Sequence, residues 1–491
     1  MPSVYGNRFA AKLVQRRVMT RLILALVVVA APAAGAAQED RVDRLIRQVM
    51  AERHVPGVAI AVVENGAITL QRAHGVANLE TATPLTTDAV FELASVTKPI
   101  TATAVMMLVE EGKISLDAPI STYIDSTPPA WAPITVRQLL THTSGLDNIS
   151  LPRLQGAVPL RVTTAQMFEY LAQQPLRWPI GQNGWYSDAG YFLLGMVVER
   201  ASGQTYRAFL QQRVFGPAGM TDSSVLDRER VLRGRVATYS WRDGQHVNWR
   251  RDWDYELPSF FGVFSTLKDL AAWDAALRRS AQLRPASLEQ MWTPATLSNG
   301  QQAKVLDDPY GLGWHLMNIR GHRAVAHSGA SGTYLLRFLD EPLTIVVLTN
   351  LDSPSGRHHH LLARSIAGMV RPAYTPPHDL KPSTIDAEDV KVVQQLVDEI
   401  GGGRPPTVMS PKYRAWFDAS PGWRAWSRSN LRGAALTFLA VDDLGGRQLW
   451  GSEPIARLVH CAAVSPNGRR IFLTVGLTAE RQVLSADFYL E

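Results

Sequence analysis

The chain has 491 residues, 46% of them hydrophobic and 19% charged, with a formal net charge of +6. That balance excludes a disordered or fibrous chain, and the length exceeds one ordinary core, so two domains are expected. Arg8, Lys12, Arg16, Arg17 and Arg21 stand in the first 37 residues, where no acid occurs, so the remainder is nearly neutral and its charge argues for no nucleic-acid partner.

Those cations precede the apolar run Leu22–Val29 and then small residues as far as Ala37. This is the pattern of a secretory leader with a small-x-small cleavage site after Ala37, and the run is short for a membrane span. It predicts a periplasmic or secreted protein with no stable membrane anchor after cleavage. Cys461 is the sole cysteine, so no internal disulfide is possible, and it reads as a buried apolar side chain.

Residues 40–53 carry Val42, Leu45, Ile46, Val49 and Met50 at helical spacing. Asn65-Gly66 between the apolar runs 58–63 and 67–70 predicts a hairpin, because both turn residues tolerate positive φ. Next, Ser95 and Lys98 stand three apart at the mouth of the apolar run Ile100–Val109. A helix there puts both on one face, with Ser95 in the first turn and Gly112 as the stop. A serine hydroxyl is a weak nucleophile and needs such a neighbour to take its proton; the alternative is a plain N-cap. A second Ser-x-x-Lys, Ser265 to Lys268, opens an amphipathic run, and Thr266 with Asp269 reads as a capping box.

Thr135 is placed to cap a short helix ending at Leu140, followed by His142 and Gly145. His142 reads as a loop histidine bonded to backbone rather than a base. A helix is expected over residues 165–173. Tyr186 and Asp188 then precede an apolar helix from Phe192 to Val198. A nearby lysine cation would lower the phenol's pKa and make Tyr186 a base or proton relay; otherwise it is a packed loop tyrosine. Residues 205–293 read as helices and loops.

From Tyr310 the pattern turns to adjacent antiparallel strands, 324–329, 334–339 and 343–348, with His327, Ser328 and Gly329 on the first. His358-His359-His360 reads as a helix start, since successive helical residues do not share a face for a metal. Pro376, Pro377 and Pro382 mark a linker. Beyond it, helices are expected over 384–400 and 411–418, and strands over 435–439, 470–475 and 483–490.

Three pieces in this order resemble the serine β-lactamase and penicillin-binding protein superfamily, in its class C, D-alanyl-D-alanine carboxypeptidase and esterase branch. Ser95 and Lys98 match the first motif, Tyr186 and Asp188 the second (Tyr-x-Asn), and His327, Ser328 and Gly329 the third (Lys/His-Thr/Ser-Gly). The strings Leu139–Leu146 and Tyr310–Trp314 are also typical of it. The resemblance covers roughly residues 40–370. It implies an α+β fold: an antiparallel sheet flanked by helices, a helical subdomain, and the site at their junction. A small C-terminal α+β domain of unknown role would follow. The expected organisation is a leader 1–37, a hydrolase domain 38–372, a linker 373–383 and the C-terminal domain 384–491.

The implied chemistry is acyl transfer on a small-molecule or peptide carbonyl, without metal or organic cofactor. Ser95 attacks, Lys98 and Tyr186 manage the proton, and the main-chain N–H groups of Ser95 and Ala330 receive the oxyanion. Asp188, His327, Ser328, Gly329 and Ala330 would contact substrate. Two departures bear on this. Asp188 replaces an asparagine, so it cannot donate to a substrate carbonyl when ionised and has Lys98 as an alternative partner. His327 replaces a lysine and attracts a substrate carboxylate less, which favours esters or uncharged substrates. The alternative is a catalytically weak family member that binds or senses wall peptides.

Overall fold

The computed structural model of the chain describes residues 33–149, 161–227, 229–249, 255–306 and 308–490. The arginines and apolar run of the expected leader lie outside the described residues. Among the described residues no helix is long and apolar enough to cross a membrane.

After α1 (Ala33–Arg53), the strands β1 (Gly57–Glu64) and β2 (Ala67–Asn78) are joined by Asn65 and Gly66 at φ 53° and 78°, the tight turn expected of that pair. With β3 (Thr83–Pro84) they form one side of a seven-stranded antiparallel sheet. The other side is His315–Ile319, His322–Gly329, Thr333–Phe338 and Leu343–Thr349, and the last of these pairs with β1. The sheet therefore closes early chain against late chain.

Both sheet faces are covered, and the alternation of Thr333–Phe338 shows how. Tyr334 meets the rings of His359 and His360 at the start of the helix His358–Val370, and Phe338 stacks on Tyr374. Arg337 points the other way and pairs with Asp274 on the helix Leu267–Arg278. Helices on two faces explain why β1 and Leu343–Thr349 are buried along nearly their whole length rather than on alternate residues.

The helical region is built around α2 (Thr97–Glu110), which is buried nearly all round. Gly112, at φ 71°, ends it by donating its N–H to Val109 O at 3.0 Å. Thr135 and Gln138 form a reciprocal capping box on α3 (Val136–Leu140). Then come α4 (Thr164–Ala172) and α5 (Asp188–Ser202). The last starts at Asp188, before the apolar run, because Ser187 accepts from Gly190 N as its N-cap.

The second Ser-x-x-Lys differs in detail from its expectation. Thr266 caps its helix, but the Asp269 carboxylate accepts from Ser223 Oγ at 2.7 Å instead of closing a box. Ser265 lies in the short strand Val263–Ser265, bonded to Ser223. Lys268 is exposed, as a solvated face requires.

The C-terminal sheet is separate and four-stranded: Leu436–Arg447, Ile455–Val464, Arg470–Leu477 and Val483–Leu490, with the helices Ala387–Gly401, Pro411–Asp418 and Pro421–Leu431. The strand Ile455–Val464 has no counterpart among the expected strands, because Arg457 and His460 break its apolar run. Burial is possible there because His460 bonds Asp442 at 2.7 Å and Thr474 at 2.9 Å. Cys461, beside it, is buried, and burial pushes its thiol up to about 12.

Candidate active site

Ser95 does not sit inside α2 as the spacing suggests. It occupies a 3₁₀ turn, Ala94–Val96, that leads directly into the helix. Ala94 takes φ 47°, a left-handed conformation that costs a side chain about 1–2 kcal/mol and marks the turn as held by its surroundings. The holding groups are identifiable. Ser331 Oγ donates to Glu92 O at 2.6 Å, Thr333 Oγ1 donates to Leu93 O at 2.8 Å, and Leu93 N donates to Val263 O at 2.8 Å. Gly329 lies so close to the Leu93 carbonyl that a Cβ would collide with it and with Thr333 Oγ1. The end of the strand His322–Gly329 is thus fastened against the serine turn.

Lys98 is fully buried, and its Nζ donates to Ser95 Oγ at 3.0 Å, to Asp188 Oδ1 at 2.6 Å and to Phe260 O at 3.0 Å. The faces of Tyr186 and Tyr191 lie 4.8 and 5.5 Å from the same nitrogen. The Ser95 hydroxyl lies beside the Tyr186 phenol and acts to hold its pKa down. Ser95, Lys98, Tyr186 and Asp188, spread over 94 positions of sequence, therefore form one contact cluster. The expected electrostatics of Tyr186 do not hold, however. Burial, then the negative charge of Asp188, pushes the phenol well above its usual value, and the Ser95 hydroxyl opposes this only in part. The cation invoked to lower it is already paired with a carboxylate.

His142 supports Tyr186 from below. Its carbonyl accepts from Trp185 N at 2.8 Å and its ring Nδ1 accepts from Ser187 N at 3.1 Å, so it grips the residues on either side of the phenol. Nδ1 is thereby an acceptor and Nε2 carries the proton. Burial first, then Lys98, keeps this ring neutral.

His327 is also buried and neutral, by burial and then by the neighbouring His315 and Lys98. Its Nδ1–H donates to Ser328 O at 2.9 Å, which leaves Nε2 to accept from the Tyr310 hydroxyl at 3.0 Å. Both ring nitrogens are thus engaged within the protein, and the neutral ring offers no cation to a substrate carboxylate. Its ring is 6.3 Å from that of Tyr186 and packs beneath the site. Ser328 and Gly329 extend past the end of the neighbouring strand His315–Ile319, whose His315 pairs with Ala326. Ala330 follows in the turn and accepts from Ser353 N at 2.8 Å.

Sequence reasoning missed Phe260, Tyr191, Ser331 and Thr333, and it gave Tyr310 only as part of a family-typical string. The four missed residues carry no local signal, because they act through bonds and ring contacts to segments distant in sequence.

The family model described as Beta-lactamase matches residues 42–368. Penicillin-binding protein 4* of Bacillus subtilis (strain 168) is 29% identical over 326 residues, covering 62% of this chain and 70% of that protein. Esterase EstB of Burkholderia gladioli is 35% identical over 204 residues, covering 38% of this chain; the match spans about half, 52%, of the esterase. The solved octameric penicillin-binding protein homologue from Pyrococcus abyssi superposes with a TM-score of 0.61 at 20% identity, over 92% of this chain and 98% of that one. That likeness is one of fold, and it extends beyond the limits of the family match.

Proposed function

The chain belongs to the Beta-lactamase family, and from that premise we propose that it is an exported serine hydrolase forming an acyl-enzyme on Ser95, with esters as its favoured substrates over peptide or β-lactam carbonyls. The observation that carries this is the contact of the buried Lys98 Nζ with Ser95 Oγ at 3.0 Å, with the Tyr186 ring 4.8 Å from the same nitrogen. Export rests on the leader pattern of residues 1–37. In this reading the hydrolase domain spans 38–372, a linker 373–383, and the C-terminal domain 384–491.

Ser95 Oγ attacks the carbonyl carbon as its proton passes to Lys98. One proton short, the lysine amine still donates to Asp188 and Phe260 O and turns its lone pair to Ser95. The oxyanion would be received by the main-chain N–H groups of Ser95 and Ala330, a type of donor worth about 10²–10³ in rate each. The proton returns to the leaving oxygen through the neutral Tyr186 phenol, and water then releases the acyl group by the same route. Esters are favoured on two grounds. Asp188 is committed to Lys98 and does not offer an amide donor, and His327 offers no cation to a carboxylate.

Intact-mass measurement after a brief pulse of a p-nitrophenyl ester tests the reading. Wild type should gain one acyl group at Ser95, and Ser95→Ala should gain none. Folded wild type that stays unmodified while the ester is consumed or ignored overturns it.

A further inference from the structure

The geometry points to Asp188 as a positioning residue that holds Lys98 in its ammonium form, and so sets the lower pH limit at which Ser95 can be acylated. This rests on the acyl-enzyme reading above.

Lys98 Nζ has acceptors at Ser95, Asp188 and Phe260 O, the number an ammonium requires. A neutral amine fits the same positions with its lone pair on Ser95. Geometry therefore does not choose between the resting and the reactive state; charge does. The groups facing Lys98 include the Asp188 carboxylate, the Ser95 hydroxyl, the Phe260 carbonyl, the rings of Tyr186 and Tyr191, and, further out, His142, His315 and His327. The histidines are neutral and the two phenols protonated. Among these groups only Asp188, at 2.6 Å, brings a whole negative charge. It stands at the first residue of α5, where the helix dipole favours a carboxylate, and it is 27% exposed while Lys98 is wholly buried.

An opposite charge at this range favours the charged form by about 1–3 pH units. Asparagine at the same position would keep an oxygen acceptor for Lys98 and remove only the charge. Its placement does not depend on the carboxylate, since the backbone N–H of residue 188 donates to Asn148 Oδ1 at 3.0 Å and Ser187 caps the helix. The base form of Lys98 grows tenfold per pH unit below the pair's apparent pKa, so this limb shows directly in the rate of acylation.

The test is single-turnover acylation with a p-nitrophenyl acyl ester, followed across the pH range in which each protein stays folded, for wild type and Asp188→Asn. The acid limb should move down by about 1–3 pH units, giving acylation at least about tenfold faster well below the wild-type limb. A limb that stays put or moves up in folded Asp188→Asn overturns the inference. Wild type gives a second readout that needs no variant to fold: its acylation rate should still be rising above pH about 7, and a plateau already reached at acid pH overturns the inference. If no protein forms an adduct on Ser95, the acyl-enzyme reading itself has failed. If adducts form and the limb is unmoved, only the role of Asp188 has.

Discussion

Proximity of a lysine to a tyrosine does not by itself acidify the phenol. At Tyr186 the cation of Lys98 is offset by Asp188, so burial decides, and the phenol stays protonated at neutral pH. It can then pass a proton but cannot start as a phenolate base. Tyr186→Phe should lower kcat by about 10²–10⁴ with little change in KM; steady-state ester kinetics decide, and a loss of less than about threefold rules out the relay. His142 illustrates the other side of burial. His142→Leu strips the acceptor from the buried Ser187 N–H, which should destabilise the protein by about 1–3 kcal/mol in urea unfolding and loosen Tyr186. His142→Asn, which keeps an acceptor, should recover part of the activity.

At the scale of elements, the site depends on where a strand end meets a turn. Thr333 and Ser331 tie the Glu92-Leu93 carbonyls, and Gly329 permits the approach. Gly329→Ala should therefore push the strand end off the serine turn. The expected outcome is a drop in melting temperature together with a loss of about 10² or more in kcat, the size of effect seen when one oxyanion donor is displaced. A fully active, normally stable variant would show that the strand end does not position the oxyanion donor. The positive φ of Ala94 belongs to this same packing, since the turn is fastened on the strand side and on the Val263 side.

Across the whole molecule, the C-terminal sheet is tied to the edge of the seven-stranded one. Trp450 Nε1 donates to Met317 O at 3.1 Å on the edge strand, Gln302 Nε2 donates to Trp450 O at 2.7 Å, and Arg320 pairs with Asp442. Leu449, Trp450, Ile455 and Leu458 join the apolar cluster of the hydrolase region. Deleting residues 384–491 should expose that edge strand and cluster, and light scattering on heating should show earlier aggregation than in the full chain.

Acid lability is expected at the same scale. His315 and His358 are pushed down to about 4 and His360 to about 3, in each case chiefly by burial, and His142, His327 and His359 are pushed down as well. The unfolded chain binds protons at these sites near pH 6.5 while the folded one does not. Stability is therefore full above that pH and falls as pH drops below it, by up to about 1.4 kcal/mol per pH unit for each histidine. Melting temperature measured against pH should decline from about 6.5 downward, and a flat profile to pH about 5 would contradict the buried neutral rings.

The sequence by itself determined whatever depends on residues a few positions apart. The Asn65-Gly66 turn, the Gly112 stop, the Thr135 cap and the three-residue spacing of Ser95 and Lys98 all follow from local backbone sterics and hydrogen bonding. The order of the three motifs was legible for the same reason. Only the tertiary structure decided the charges and the aim of the side chains. Asp188 turned to Lys98, 90 positions away, His327 turned inward to Tyr310, and Arg457 and His460 entered a buried strand. Pairing and protonation follow from burial and from the nearest opposite charge, and in this chain both are supplied by segments that meet only when the sheet closes early strands on late ones.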